Sequence, residues 1–145
     1  QGIEYHNEHR RIDAATGDKS FNTNDVKVSE GSLLYSIVKV SELSKCPCYH
    51  HQAVKDVDDT RLTVSGSTVT DGVTMIVAVE RTDKTFALGL QFYPEISVGK
   101  WLDNAEDKDG FLELEFALSF FKRLKTEAEV QLEEDEAATS LPAAA

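Results

Sequence analysis

Between two runs of β-branched residues stands Asp71-Gly72, and little else in the sequence limits the fold so tightly. An Asp-Gly pair readily takes the turn whose twist matches that of two antiparallel strands. Residues 62–70 and 73–80 are therefore predicted to form a hairpin. The chain must then supply a sheet for that hairpin and something to cover its apolar face.

The remaining elements follow from pattern. Residues 1–24 are polar and irregular and read as loop. Val26 and Val28 alternate with charged residues, which predicts a short strand over 25–29. Ser32 precedes the apolar run Leu33–Val38, an N-cap and short-helix signature. Residues 45–50 read as extended chain passing into a loop. Residues 86–92 form an apolar strand that ends at Tyr93-Pro94-Glu95, and 103–110 is a charged loop. Over 111–124 the spacing of Phe111, Leu114, Leu118 and Phe121 predicts a helix, with Lys122, Arg123 and Lys125 at its dipole-favoured end. The set is mixed α/β. It contains neither a phosphate-binding loop nor a dinucleotide fingerprint.

At 145 residues the chain has the length of one domain. No apolar run reaches the ~18 residues of a membrane span, and no signal peptide is expected from the opening segment. Fifteen Lys and Arg face 26 Asp and Glu, a net charge of -11. That balance argues against a nucleic-acid surface, which needs clustered cations. Six of the acids follow Lys125 with no further cation, so the body itself carries only about -5. Residues 125–145 read as an acidic, Ala-rich tail, either solvated or a frayed extension of the preceding helix.

Cys46 and Cys48 are too close for an unstrained disulfide and have no other partner. Reduced thiols in a cytoplasmic setting are expected. With His50 and His51 they place four metal-capable side chains within six residues. The spacing is not that of a standard zinc site, and ordinary thiols are the default. Cys48 as a nucleophile beside His50 is a further reading.

Three segments occur in a telling order: Tyr49-His50-His51-Gln52-Ala53-Val54-Lys55, then Asp71-Gly72-Val73 leading to Glu80, then Leu88-Gly89-Leu90-Gln91-Phe92-Tyr93-Pro94-Glu95. With Val26–Leu34 upstream, they resemble the C-terminal half of class I glutamine amidotransferase-like γ-glutamyl hydrolases. This is the peptidase C26-like group that includes γ-glutamyl-GABA hydrolases. The resemblance implies the C-terminal part of a doubly wound, flavodoxin-like α/β domain with an added β-hairpin. Residues 1–124 would be that part, and the nucleophile half would be a separate or processed chain.

The implied reaction is hydrolysis of γ-glutamyl amide bonds by a Cys-His-Glu triad, on a small γ-glutamyl substrate. No cofactor, metal, nucleic acid or membrane is called for. A thiolate attacks, a His takes the thiol proton, and a Glu orients the His. Two departures stand out. The Gly-x-Cys-x-Gly elbow does not occur in this chain, and the His position of the His-Pro-Glu motif is Tyr93. Glu95 is retained. A phenol, whose proton leaves near pH ~10 in water, is a poor general base. The alternative is a catalytically degenerate binding or assembly subunit.

The same resemblance places His50, His51 and Gln52 at the pocket, supporting substrate or site. A substitute-base role for one of the two His and a buried structural role remain as further readings. Arg10 or Arg11 would suit an anionic α-carboxylate, although a solvated loop explains them more simply.

Overall fold

The computed structural model describes all residues except 1–2, 6–9, 13–18, 58–59, 71 and 141–145. Among the described residues, eight strands, three α-helices and one short 3-10 helix follow one another: β1 (Ile3–Tyr5), β2 (Arg10–Ile12), β3 (Lys19–Val28), α1 (Leu33–Val38), β4 (Glu42–Cys48), β5 (Gln52–Val54), β6 (Leu62–Thr70), β7 (Val73–Arg81), β8 (Leu88–Leu90), α2 (Pro94–Leu102), the 3-10 helix (Lys108–Gly110) and α3 (Leu114–Ser140). The sheet order is β1-β5-β7-β6-β3-β2, with β4 also on β3 and β8 also on β7. Every pairing among the described residues is antiparallel.

The predicted hairpin is β6–β7, with Thr70 opposite Val73. Asp71 lies outside the described residues, and Gly72 takes φ 77°, the left-handed region that a glycine adopts without a Cβ clash. The pairing register shifts around Gly66, where a bulge sets the sheet against α1. A Cβ on Gly66 would lie 3.0 Å from Leu34 Cδ2 and 3.1 Å from both Ala78 Cβ and Val26 Cγ1. Helix and sheet meet there because no side chain separates them.

Around this contact lies the core: Val26, Val28, Leu34, Val38, Leu43, Cys46, Val77, Ala78, Phe92, Leu112, Ala117 and Phe120. Val26 and Val28 point inward while Asp25 and Lys27 stay exposed, the period-two alternation of a half-buried strand. Leu34 and Val38, four apart, form the inner face of α1.

Two acceptors hold the start of α1. Ser32 Oγ accepts from the Tyr35 N–H at 3.0 Å, and Glu80 Oε2 on β7 accepts from the Leu33 N–H at 2.7 Å. A six-residue helix cannot sustain itself in water, so these bonds and its packing maintain it. Glu80→Ala is expected to destabilise the fold by about 1–2 kcal/mol, and Glu80→Gln by roughly half as much, because a charged acceptor at a helix N-terminus is lost or neutralised. Urea unfolding midpoints check this, and a Glu80→Ala midpoint equal to that of the parent protein would rule it out.

Several sequence expectations are corrected. The loop expected over 1–24 contains β1, β2 and most of β3, with residues 6–9 and 13–18 outside the described set. The first half of β3 is polar, yet β2 and β4 pair with it, and that pairing overrides weak strand propensity. Residues 45–48 belong to β4. Its bulge places Lys45 at φ 60° with its N–H on Asp25 Oδ1 at 3.0 Å. Strand 86–92 contracts to β8.

An unexpected helix, α2, begins at Pro94. Proline suits a first helical position because its missing N–H would have no partner there. The predicted helix over 111–124 starts at Leu114 and runs on to Ser140, so the acidic segment to that point is helical. No helix among the described residues is long and apolar enough to cross a membrane.

Candidate active site

The junction between β8 and α2 positions the two residues singled out as catalytic. Tyr93 is the N-cap of α2, at φ -117° and ψ 81°. The following proline excludes the helical region for it, so the chain turns at this residue. Its N–H donates to Pro47 O at 2.8 Å, and its carbonyl accepts from the Ile96 N–H at 3.1 Å. Glu95 lies in the first turn of α2, where a carboxylate complements the helix dipole. Tyr93 and Glu95 therefore do not lie on one extended segment, as a two-residue spacing suggests. They nevertheless share a groove.

That groove has a volume of about 430 Å³, and Tyr93, Pro94 and Glu95 are among the residues that border it. Its apolar walls include Ile37 of α1, Leu88 and Leu90 of β8, and Phe120, Phe121 and Leu124 of α3. Beneath it Phe92 packs edge-on against Phe120, ring centroids 5.9 Å apart, which fixes α3 to the chain segment leading into Tyr93. On its far side Glu95 borders a second hollow of about 590 Å³, with Phe21, Asn22, Thr23 and Phe111 on its wall.

The half-buried ring of Tyr93 meets Phe21 at 5.7 Å, and Phe21 meets Tyr49 at 5.7 Å. Phe21 thus links the Tyr49–Gln52 segment to the Tyr93 motif. Sequence reading missed it because it sits in a stretch taken as loop. His50 is half-buried, while His51 and Gln52 are exposed. None of the three borders the groove at Tyr93. Arg10 and Arg11 lie on β2, and their side chains are outside the described set.

The setting of the two cysteines does not suit a nucleophile. Cys46 and Cys48 are 0% and 2% exposed. Burial pushes the Cys46 thiol far above its ordinary range, aided by the charges of Asp25 and Cys48. Burial likewise pushes Cys48 up to about 12. The Asn24 side-chain amide donates to Cys48 Sγ at 3.0 Å. Among the described residues, no group of three or more His, Cys, Asp or Glu could hold a metal ion.

A consequence follows for pH. The raised thiol pKa values mean that the native state holds these protons more tightly than the unfolded chain. This stabilisation is full below pH ~9 and is lost as pH rises from ~9 toward ~12. At pH 8 a disulfide reagent such as Ellman's is expected to react with neither thiol until the protein unfolds. Rapid labelling of the native protein would contradict this.

The peptidase C26 family model matches residues 1–95, a span that ends on Glu95. Among solved structures, the chain is similar to the glutaminase domain of Trypanosoma brucei CTPS with bound acivicin. The two are 20% identical with a TM-score of 0.50, and the match covers 65% of this chain and 38% of that one. The chain therefore spans well under half the length of that relative. No curated protein matches the chain.

Proposed function

Because the chain belongs to the peptidase C26 family, we propose that it forms the Tyr-Pro-Glu half of an amidotransferase-like domain that hydrolyses γ-glutamyl amides once a nucleophile half is supplied. The observation carrying this reading is that Tyr93 and Glu95, which follow β8 closely in the chain, line one largely apolar groove. Among the described residues β8 pairs only with β7, so its other edge is open to a further strand. A partner segment seated there would cover Leu88, Leu90 and Phe120 and bring a cysteine opposite Tyr93.

In that arrangement the thiolate attacks the γ-carbonyl carbon. Backbone N–H groups on the partner half stabilise the oxyanion, the C–N bond breaks, and the amine leaves with the proton that the thiol gave up to water, giving a glutamyl thioester. Water then hydrolyses the thioester and returns the thiol. Tyr93 supplies a hydrogen-bond donor where a base is needed, so turnover is slow. The two buried thiols of this chain take no part.

A second reading is a degenerate subunit that kept the fold and lost the chemistry, and the phenol at position 93 favours it. Supplying the N-terminal half and assaying γ-glutamyl-p-nitroanilide separates the two. Weak but measurable release of p-nitroaniline supports the enzyme. Release absent from both the parent protein and Tyr93→His, with circular dichroism intact, supports the binding subunit.

A further inference from the structure

We propose that the projecting part of α3 is a docking arm for a basic amphipathic helix of a partner protein. The helix has 27 residues, yet among those whose burial is described it buries only Ala117 and Phe120. From Ala128 to Thr139 every residue is exposed, a length of about 18 Å at the helical rise of ~1.5 Å per residue. A solvated arm of this kind has no need for large apolar side chains. Leu124 and Leu132 are nevertheless 54% and 59% exposed. With Ala128 between them they advance in steps of four, so they share one side of the helix. This stripe continues the wall that Phe121 and Leu124 give the groove and runs beyond it. Val130, also exposed, lies on the opposite side and is not part of it.

Charge identifies the occupant. After Lys125 the helix carries Glu127, Glu129, Glu133, Glu134, Asp135 and Glu136, and no cation. Arg123 pairs with Glu127 at 2.6 Å and Lys125 with Glu129 at 3.5 Å, which engages the two nearest cations within the helix. The other four acids crowd toward the C-terminal end, where the helix dipole is already negative. A second copy of this chain, itself at -11, would bring like charge against like. Anionic lipid or nucleic-acid surfaces would be repelled in the same way. A helix with a leucine stripe and Lys or Arg beside it fits the apolar line and meets the remaining acids, of which Asp135 lies on the same side as the stripe and Glu136 next to it.

The test uses the 145-residue chain and a fluorescent 18-residue peptide of Leu and Lys in amphipathic helical order, read by anisotropy. Binding on the order of 10 μM at ~50 mM salt is expected, weakening about tenfold by ~500 mM. A peptide of the same composition in scrambled order should bind at least about tenfold more weakly, because it presents no continuous apolar side. Leu124→Ser combined with Leu132→Ser should cost at least about tenfold with helix content unchanged, since both side chains are exposed. Equal binding of the scrambled peptide, or unchanged binding by the double variant, would reduce the effect to diffuse attraction and overturn the proposal. A dimer of the chain alone that the double variant dissolves would overturn it in favour of self-association. Absence of binding at low salt would also end it.

Discussion

Replacing Tyr93 with histidine should raise γ-glutamyl-p-nitroanilide hydrolysis by the completed domain about 10²–10⁴-fold, the usual worth of a positioned general base. The geometry supports a clean exchange. The Tyr93 backbone is held by Pro47 O and by the start of α2, so its Cα does not depend on the side chain. The ring lies against Phe21, and an imidazole fits within the volume of a phenol. Glu95 borders the same groove, and on the proposed reading it accepts from one imidazole nitrogen while the other faces the thiol. The gain should show chiefly in kcat, with an acid limb appearing near the imidazole pKa of ~6.5. Strong activity already present with Tyr93, unchanged by the substitution and abolished by His50→Ala or His51→Ala, would move the base to the His pair.

Leu34→Ala should destabilise the protein by about 3–5 kcal/mol, toward the upper part of the range for a buried leucine. Leu34 is 0% exposed. A Cβ on Gly66 would lie only 3.0 Å from the Leu34 Cδ2, so the Gly66 backbone forms the floor of the Leu34 pocket and cannot move up to fill a void. Val26 and Ala78 on the flanks are short and already packed. Leu34→Met, which nearly conserves volume, should cost under ~1.5 kcal/mol. Urea unfolding of the three proteins checks the order, and a loss under ~1.5 kcal/mol for Leu34→Ala would show that the helix settles onto the sheet.

Local chemistry was legible in the sequence where a residue type has one dominant use. Asp71-Gly72 marked the hairpin, Ser32 marked the cap of α1, and the Val26/Val28 alternation marked the inner half of β3. Each reflects a constraint that acts within a few residues. The first half of β3 was illegible because partners far along the chain, β2 and β4, make it a strand. The α2 helix has a start signal in Pro94, but Tyr93 before it makes no side-chain cap bond, so the usual capping signature is missing. At the candidate site, Tyr93 and Glu95 are singled out by their motif, and the fold lines one groove with both. Their link to Tyr49 through Phe21 is a tertiary fact that no spacing encodes.

The depth of Cys46 and Cys48 alters how a reduced cysteine in this chain should be interpreted. A thiol is oxidised through its thiolate and by collision with an oxidant, and burial denies both. The fold itself shelters the pair, independently of any surrounding glutathione pool. Glutathionylation or sulfenic acid formation at these positions would report that the protein had opened, whatever the redox poise outside. The reduced state of the two cysteines is therefore a marker of folding and carries no address for a compartment.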